Sequence, residues 1–332
     1  MKDRTLSRRE ILAYSASLLC SFNSHVVNAE ASITPYPLEH KLYKNAPKVE
    51  QFESLDKFNS VVQRIQNEVS EERVEKLLTK FGSYTSRHLY RSENELFTIA
   101  LQDYIRSEQI GDRISLDEFV FNNRTRSNVI AEINPNKQSI ILLCAHFDSI
   151  SHTSIDAPGA DDNLSGVVAL LETLRVLNNL GLTEKRVIFC FFNAEEQGLI
   201  GSQNYANKLF SESIPISLVI NLDMIGHVQS AARKQIVVEY DSGNVSASND
   251  IPSKLYARRL SELAREHLEF EVENTNIWNS DYMSFEKHGY PCVGLYDKGG
   301  EFYHTENDTL DVVSVSKVAD VARLVSMMIY DM

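Results

Sequence analysis

The chain has 332 residues, 43% of them hydrophobic, and a formal net charge of −13. That is enough apolar material for one large core, and the charge disfavours partners such as nucleic acid or anionic membranes. Four cysteines suggest no disulfide framework.

Residues 1–29 read as an export signal. Ser7-Arg8-Arg9-Glu10-Ile11-Leu12 has a twin-arginine pattern, a modest apolar stretch runs from Ile11 to Val27, and Val27-Asn28-Ala29 offers a small-residue cleavage site. The stretch is too short and polar for a membrane span, so a periplasmic or secreted protein is expected. Residues 30–55 contain prolines and little pattern, as an extended arm or pro-segment would. Residues 56–332 read as one folded domain, expected to be a monomer. Leu55 to Phe81 has helical apolar spacing, and Glu93 to Ile105 repeats it. Ile114–Phe121 reads as a strand leading to a second at Asn128–Ile133.

Then come three apolar strands that each end in acids or histidines. Ser139–Ala145 is continuously apolar, as a strand buried on both faces should be, and delivers His146 and Asp148. After it, Pro158-Gly-Ala-Asp161-Asp162-Asn-Leu-Ser-Gly166 opens a helix to Leu180, with Val167, Leu170, Leu171, Leu174 and Leu177 on one face. Arg186–Phe192 ends at Asn193-Ala-Glu195-Glu196, and Ile216–Leu222 ends at Asp223. Ile236–Tyr240 is a further strand, Ser242–Ile251 a polar loop, and Ser253–His267 and Val313–Tyr330 are helical. Cys144 and Cys190 lie inside apolar runs and read as buried thiols.

Each polar group has a bland reading. Paired glutamates often start a solvated helix, Asp161-Asp162-Asn163 could cap one, and His304 could be an ordinary loop residue. Open α/β sheets, however, bind ligands beyond the carboxyl ends of their strands, and three such ends carry carboxylate or imidazole together. Five ligands and a spare carboxylate suit two divalent ions and a general base. Imidazole with carboxylate favours Zn²⁺, with Co²⁺ or Mn²⁺ as substitutes.

These motifs, with Asn221-Leu-Asp223-Met-Ile-Gly226, Asn279-Ser-Asp281 and His304-Thr-Glu-Asn-Asp308-Thr309, resemble the co-catalytic dizinc aminopeptidases related to bacterial leucyl aminopeptidase. Glutamate carboxypeptidase II, glutaminyl cyclase and the transferrin receptor are more distant members. The resemblance implies a single-domain three-layer α/β/α sandwich with a mixed, mostly parallel central sheet, and a metallopeptidase with two zinc ions per chain. By it, Asp161 bridges the ions, Glu196 and His304 complete one site, and His146 and Asp223 complete the other. Glu195 is the base, Asp148 hydrogen-bonds the far ring nitrogen of His146, and Ser280 and Asp281 stand behind the ligands. The Asp161-Asp162 peptide is the expected cis bond. Tyr282 stands where relatives often carry His.

The substrate implied is a peptide with a free N-terminus and an apolar first residue. Met224, Ile225, Tyr296, Phe302 and Tyr303 flank the ligands and are candidates for its pocket or for core. A carboxypeptidase or an N-acyl deacylase could use the same centre, but would want a cationic clamp, and only Lys298 is near the late motifs. A glutaminyl cyclase would need one zinc. A receptor-like binding protein should have lost ligands.

Overall fold

The computed structural model describes residues 55–298 and 300–332. The expected export signal and most of the expected arm lie outside the described residues. Helices α1 (Leu55–Glu68), α2 (Glu71–Phe81) and α3 (Ser92–Ser107) precede the sheet. The helical spacing expected over Leu55–Phe81 is divided between two helices. Ser70 breaks it and caps α2, its hydroxyl accepting from Arg73 N at 3.3 Å while its own N–H donates to Glu172 Oε1 at 2.9 Å.

Strands β1 (Arg113–Phe121), β2 (Arg124–Ile133), β3 (Ile140–His146), β4 (Arg186–Phe192), β5 (Ile216–Asp223), β6 (Gln235–Tyr240), β7 (Glu271–Asn276) and β8 (Cys292–Tyr296) form one sheet in the order β1-β2-β4-β3-β5-β8-β6-β7. The four central strands β4, β3, β5 and β8 are parallel, while β2 runs antiparallel to β4 and β6 antiparallel to β8. The connections carry α4 (Gly166–Leu180), α5 (Ile200–Ser211), the short α6 (Val228–Ala232), α7 (Asp250–Leu268) and the single turn α8 (Met283–Glu286), and α9 (Val315–Asp331) closes the chain.

Side chains alternate along each central strand, and two helical layers take the two sets. Ile141, Leu143 and Ala145 of β3, with Val187, Phe189 and Phe191 of β4, share the larger core with Val167, Leu170, Leu171 and Leu174 of α4 and with Val318, Val321 and Leu324 of α9. Ile140, Leu142 and Cys144, with Ile188 and Cys190, share the second core with Tyr205 and Leu209 of α5 and Phe285 of α8. Strands covered on both faces must be apolar at every position, which is why these runs do not alternate. Cys144, Cys190 and Cys292 are buried free thiols. The expected three-layer α/β/α sandwich with a mixed, mostly parallel sheet is therefore present. Its four parallel strands bring His146, Glu195, Asp223 and Asp297 to one end. Among the described residues no helix is long and apolar enough to cross a membrane.

Candidate metal centre

At that end two histidines face each other across one carboxylate. His146 Nε2 lies 3.2 Å from Asp162 Oδ1 and 3.5 Å from Asp223 Oδ1. His304 Nε2 lies 3.2 Å from Asp162 Oδ2 and 3.0 Å from Glu196 Oε2. Two ligand sets share Asp162, one with His146 and Asp223 and the other with Glu196 and His304, and Glu195 stands with His146 and Glu196. The residue between the histidines is thus Asp162, one position later than the Asp161 that the resemblance implied.

The backbone of the 159–166 turn explains the shift. Asp161 turns away, and its Oδ1 accepts the Gly226 N–H at 2.8 Å. Burial first, then Asp297 and Asp308, raise its carboxyl far above the usual range. The next residue, with φ −106° and ψ 88°, presents its carboxylate to both histidines. The cis peptide is likewise one bond later than expected, at Asp162-Asn163. Asp308 holds the turn, its two oxygens accepting Asp161 N at 2.8 Å and Asp162 N at 2.9 Å. Asn163 ties it to β5 by donating to Leu222 O at 2.8 Å. Gly159 begins it with φ +54°, where a Cβ would meet Asp162 O at 2.3 Å, so only glycine fits.

Asp148 also acts differently from the expectation. The Nδ1–H of His146 donates to the Asp148 backbone carbonyl at 3.1 Å, and the nearer carboxylate oxygen is 3.7 Å away. That contact still fixes the tautomer and leaves Nε2 with its lone pair for a metal. The carboxylate instead accepts Glu195 N at 3.0 Å and Glu196 N at 3.2 Å, so Asp148 positions both glutamates. Ser280 accepts from Asn221 Nδ2 at 2.8 Å. Asp281 is fully buried, and its carboxyl is pushed up to about 7 by burial, which His146 only partly offsets. Tyr282 donates its hydroxyl to Glu239 at 2.8 Å, a packing role distant from metal ligation.

Charge fits a cation. Burial pushes the Glu196 carboxyl up, Asp162 adds to it, and it reaches about 7. Burial would depress His304, but Glu196 and Asp162 outweigh it and bring it to about 10. The same contest holds His146 well above its usual range, with Glu195 as the strongest raising charge. Glu195 is raised well above the carboxylate range by burial, less the effect of His146. Glu196 Oε1 and Asp223 Oδ1 are buried without a hydrogen-bond partner, an arrangement that costs free energy unless a cation satisfies it. Ala194, Met224 and His304 all adopt positive φ, at 62°, 54° and 56°. Left-handed backbone of this kind costs about 1–2 kcal/mol per residue, and here it falls beside or at ligand positions on three separate loops.

Arg87 escapes motif reading because it lies in a polar segment with no periodicity, 60 residues before the first carbonyl its guanidinium meets. It is fully buried. Its guanidinium donates to Phe147 O at 2.7 Å, Pro158 O at 2.5 Å and Gly159 O at 2.7 Å, strapping the loop after β3 to the ligand turn. Burial lowers its pKa to about 10, against the pull of Asp308 and Asp148. Arg87→Met should leave three carbonyls without donors and cost about 3–5 kcal/mol, read as a lower denaturant midpoint. A loss within about 0.5 kcal/mol would contradict this role.

Of the expected pocket residues, Ile225 is core: it is fully buried in the larger cluster, and its N–H donates to Ser165 Oγ at 3.1 Å. Phe302 leans on the same core from outside, and Tyr296 closes β8. Tyr303 stacks on His304 with ring centroids 3.6 Å apart, and a Cβ at Gly300 would meet both Tyr303 Cβ and Met224 Cε at 3.3 Å. Met224 and Tyr303 thus flank the centre. Lys298, the one candidate clamp, is ion-paired to Glu273.

Residues 128–329 match the model of Peptidase family M28. The chain belongs to this family. Among curated relatives, Aminopeptidase YwaD of Bacillus subtilis is 29% identical over 222 residues, covering 64% of this chain and 46% of that protein. The chain spans about half the length of the first curated relatives it matches. Of solved structures, the LapA aminopeptidase of Legionella pneumophila aligns with TM-score 0.72 and 20% identity over 96% of this chain and 81% of that one. A glutaminyl cyclase of Bacteroides thetaiotaomicron aligns with TM-score 0.66 and 17% identity over 80% and 99%. At these identities the two structures share the fold.

Proposed function

We propose that this M28 protein is a two-metal aminopeptidase that removes an apolar N-terminal residue from peptides. The observation that carries the reading is Asp162, with one oxygen toward each histidine. His146, Asp162 and Asp223 would hold one zinc ion, and Asp162, Glu196 and His304 the other. Bound there, two such ions would polarise the scissile carbonyl and acidify a water between them.

The protein's own groups do the remaining work. Glu195 lies beside His146 and Glu196 but outside the two sets that share Asp162, so it would face a water held between the ions without being spent as their shared ligand. Its buried carboxylate accepts the water's proton and returns it to the departing amine. Asp148 fixes the Glu195 and Glu196 amides, so base and ligand keep their separation as the proton moves. Tyr303, stacked on His304, offers apolar surface for the first side chain, with the buried Met224 behind it. The aminopeptidase relatives support a free α-amine at the cleaved end, and the pairing of Lys298 with Glu273 counts against a clamp for a C-terminal carboxylate.

Leu-p-nitroanilide should be cleaved and acetyl-Leu-p-nitroanilide should not, with rates at least about 10- to 100-fold apart, the worth of one polar contact in a dry site. Equal rates would move the protein to the deacylases. Conversion of N-terminal glutaminyl peptides to pyroglutamyl peptides with loss of ammonia, without aminopeptidase activity, would favour the cyclase.

A further inference from the structure

A second cluster of oxygen ligands lies where β6 ends. Tyr240, the last residue of β6, pairs with Val293 near the start of β8, so this cluster is at the opposite end of β8 from Asp297. The loop that follows, Asp241-Ser-Gly-Asn-Val-Ser-Ala-Ser-Asn249-Asp250, is rich in oxygen side chains and contains no Lys, Arg or His. It folds back on itself: Gly243 N donates to Asp250 Oδ1 at 2.9 Å, and Asn276 exchanges two hydrogen bonds with the Ser242 backbone at 2.9 and 3.0 Å. Glu286, the last residue of α8, enters from the other side. Its Oε1 accepts Val245 N at 2.7 Å and Ser246 N at 2.6 Å.

Four oxygens are left over. Asp241, Asn249 and Glu286 are each 0% exposed. Both carboxylate oxygens of Asp241 are without a hydrogen-bond partner, as are Glu286 Oε2 and Asn249 Oδ1. Burial, then Glu286 and Asp250, push the Asp241 carboxyl up to about 7, and the nearby Asn244 and Asn249 amides offset this only in part. Buried acids are retained when paired, hydrogen-bonded or bound to a metal.

We propose that Asp241, Asn249 and Glu286, with Asp250 at the rim, bind a hard divalent cation, calcium before magnesium. The set is all oxygen, mixes carboxylate with amide carbonyl, and sits largely on one loop. Such a set suits the six to eight oxygens and adaptable geometry of Ca²⁺, whereas Mg²⁺ demands a near-ideal octahedron and zinc prefers nitrogen or sulfur. Water supplies the remaining positions. The ion ties the 241–250 loop to α8, which directly follows Ser280 and Asp281 behind the candidate metal centre.

The test uses the full chain with zinc in place, first freed of calcium. Millimolar calcium should raise Tm by about 5 °C, and magnesium should do less. Terbium should bind in place of calcium and emit when excited through Trp278, the chain's only tryptophan. That residue adjoins Ile277, whose carbonyl accepts Asn244 Nδ2 at 3.4 Å. Asp241→Asn and Glu286→Gln should each lose both responses, and Asp241→Asn should melt no lower than the calcium-free parent. No calcium response in the parent up to about 10 mM, above the weakest usual range, would overturn the proposal in favour of buried water. Responses that persist in both variants would place the ion elsewhere. Should a variant fail to fold, the parent decides: terbium emission excited at the red edge, where tryptophan but not tyrosine absorbs, supports a site beside Trp278, and terbium binding without such emission refutes it.

Discussion

Glu195→Gln should lower kcat by about 10³-fold or more while metal content stays at the parent's level. The amide keeps the size of the side chain, and the backbone N–H of residue 195 still donates to Asp148 Oδ1, so the turn is preserved. What disappears is the atom that takes the proton. Glu196→Gln should behave oppositely, weakening one ion, because Glu196 Oε2 lies 3.0 Å from His304 Nε2. Since Glu195 also stands within a ligand-sized group with His146 and Glu196, the pair of variants is discriminating. Loss of an ion with residual turnover in Glu195→Gln would make Glu195 a ligand and leave the reaction without its base.

The neighbouring aspartates give the second large effect. Asp162→Asn should weaken metal binding by more than about 100-fold, beyond what loss of a group behind the ligands costs, and abolish activity, because one carboxylate serves both histidines. Asp161→Asn should retain metal and most of its turnover. Burial already drives the Asp161 carboxyl toward its neutral form, so a neutral amide resembles the state the protein holds, and the Gly226 N–H keeps an oxygen to donate to. Metal loss in Asp161→Asn with binding intact in Asp162→Asn would return the bridge to Asp161.

That one-residue difference shows what sequence can locate. The strand ends were legible because β3, β4 and β5 are covered on both faces, so polar residues after them stand out against continuous apolar runs. Which of two adjacent aspartates faces the histidines depends on how the 159–166 turn is wound, and Asp161-Asp162 offers no compositional contrast. Asp148 was found but misassigned: its carbonyl and its carboxylate divide the work of orienting His146 and the glutamates. Arg87 gave no signal, since a buried cation bound to three carbonyls looks in sequence like any polar loop residue. Strand β7, Glu271–Asn276, was unread because it is a polar edge strand, mostly exposed, with no apolar alternation. The break at Ser70 was hidden by apolar spacing that continues across it from α1 to α2.

Elemental analysis of the zinc-equilibrated protein after removal of free metal tests the central claim most directly. Two sites sharing Asp162 predict close to two ions per chain, falling together in Asp162→Asn. A firm value of one ion per chain, unchanged by Asp162→Asn, would contradict it.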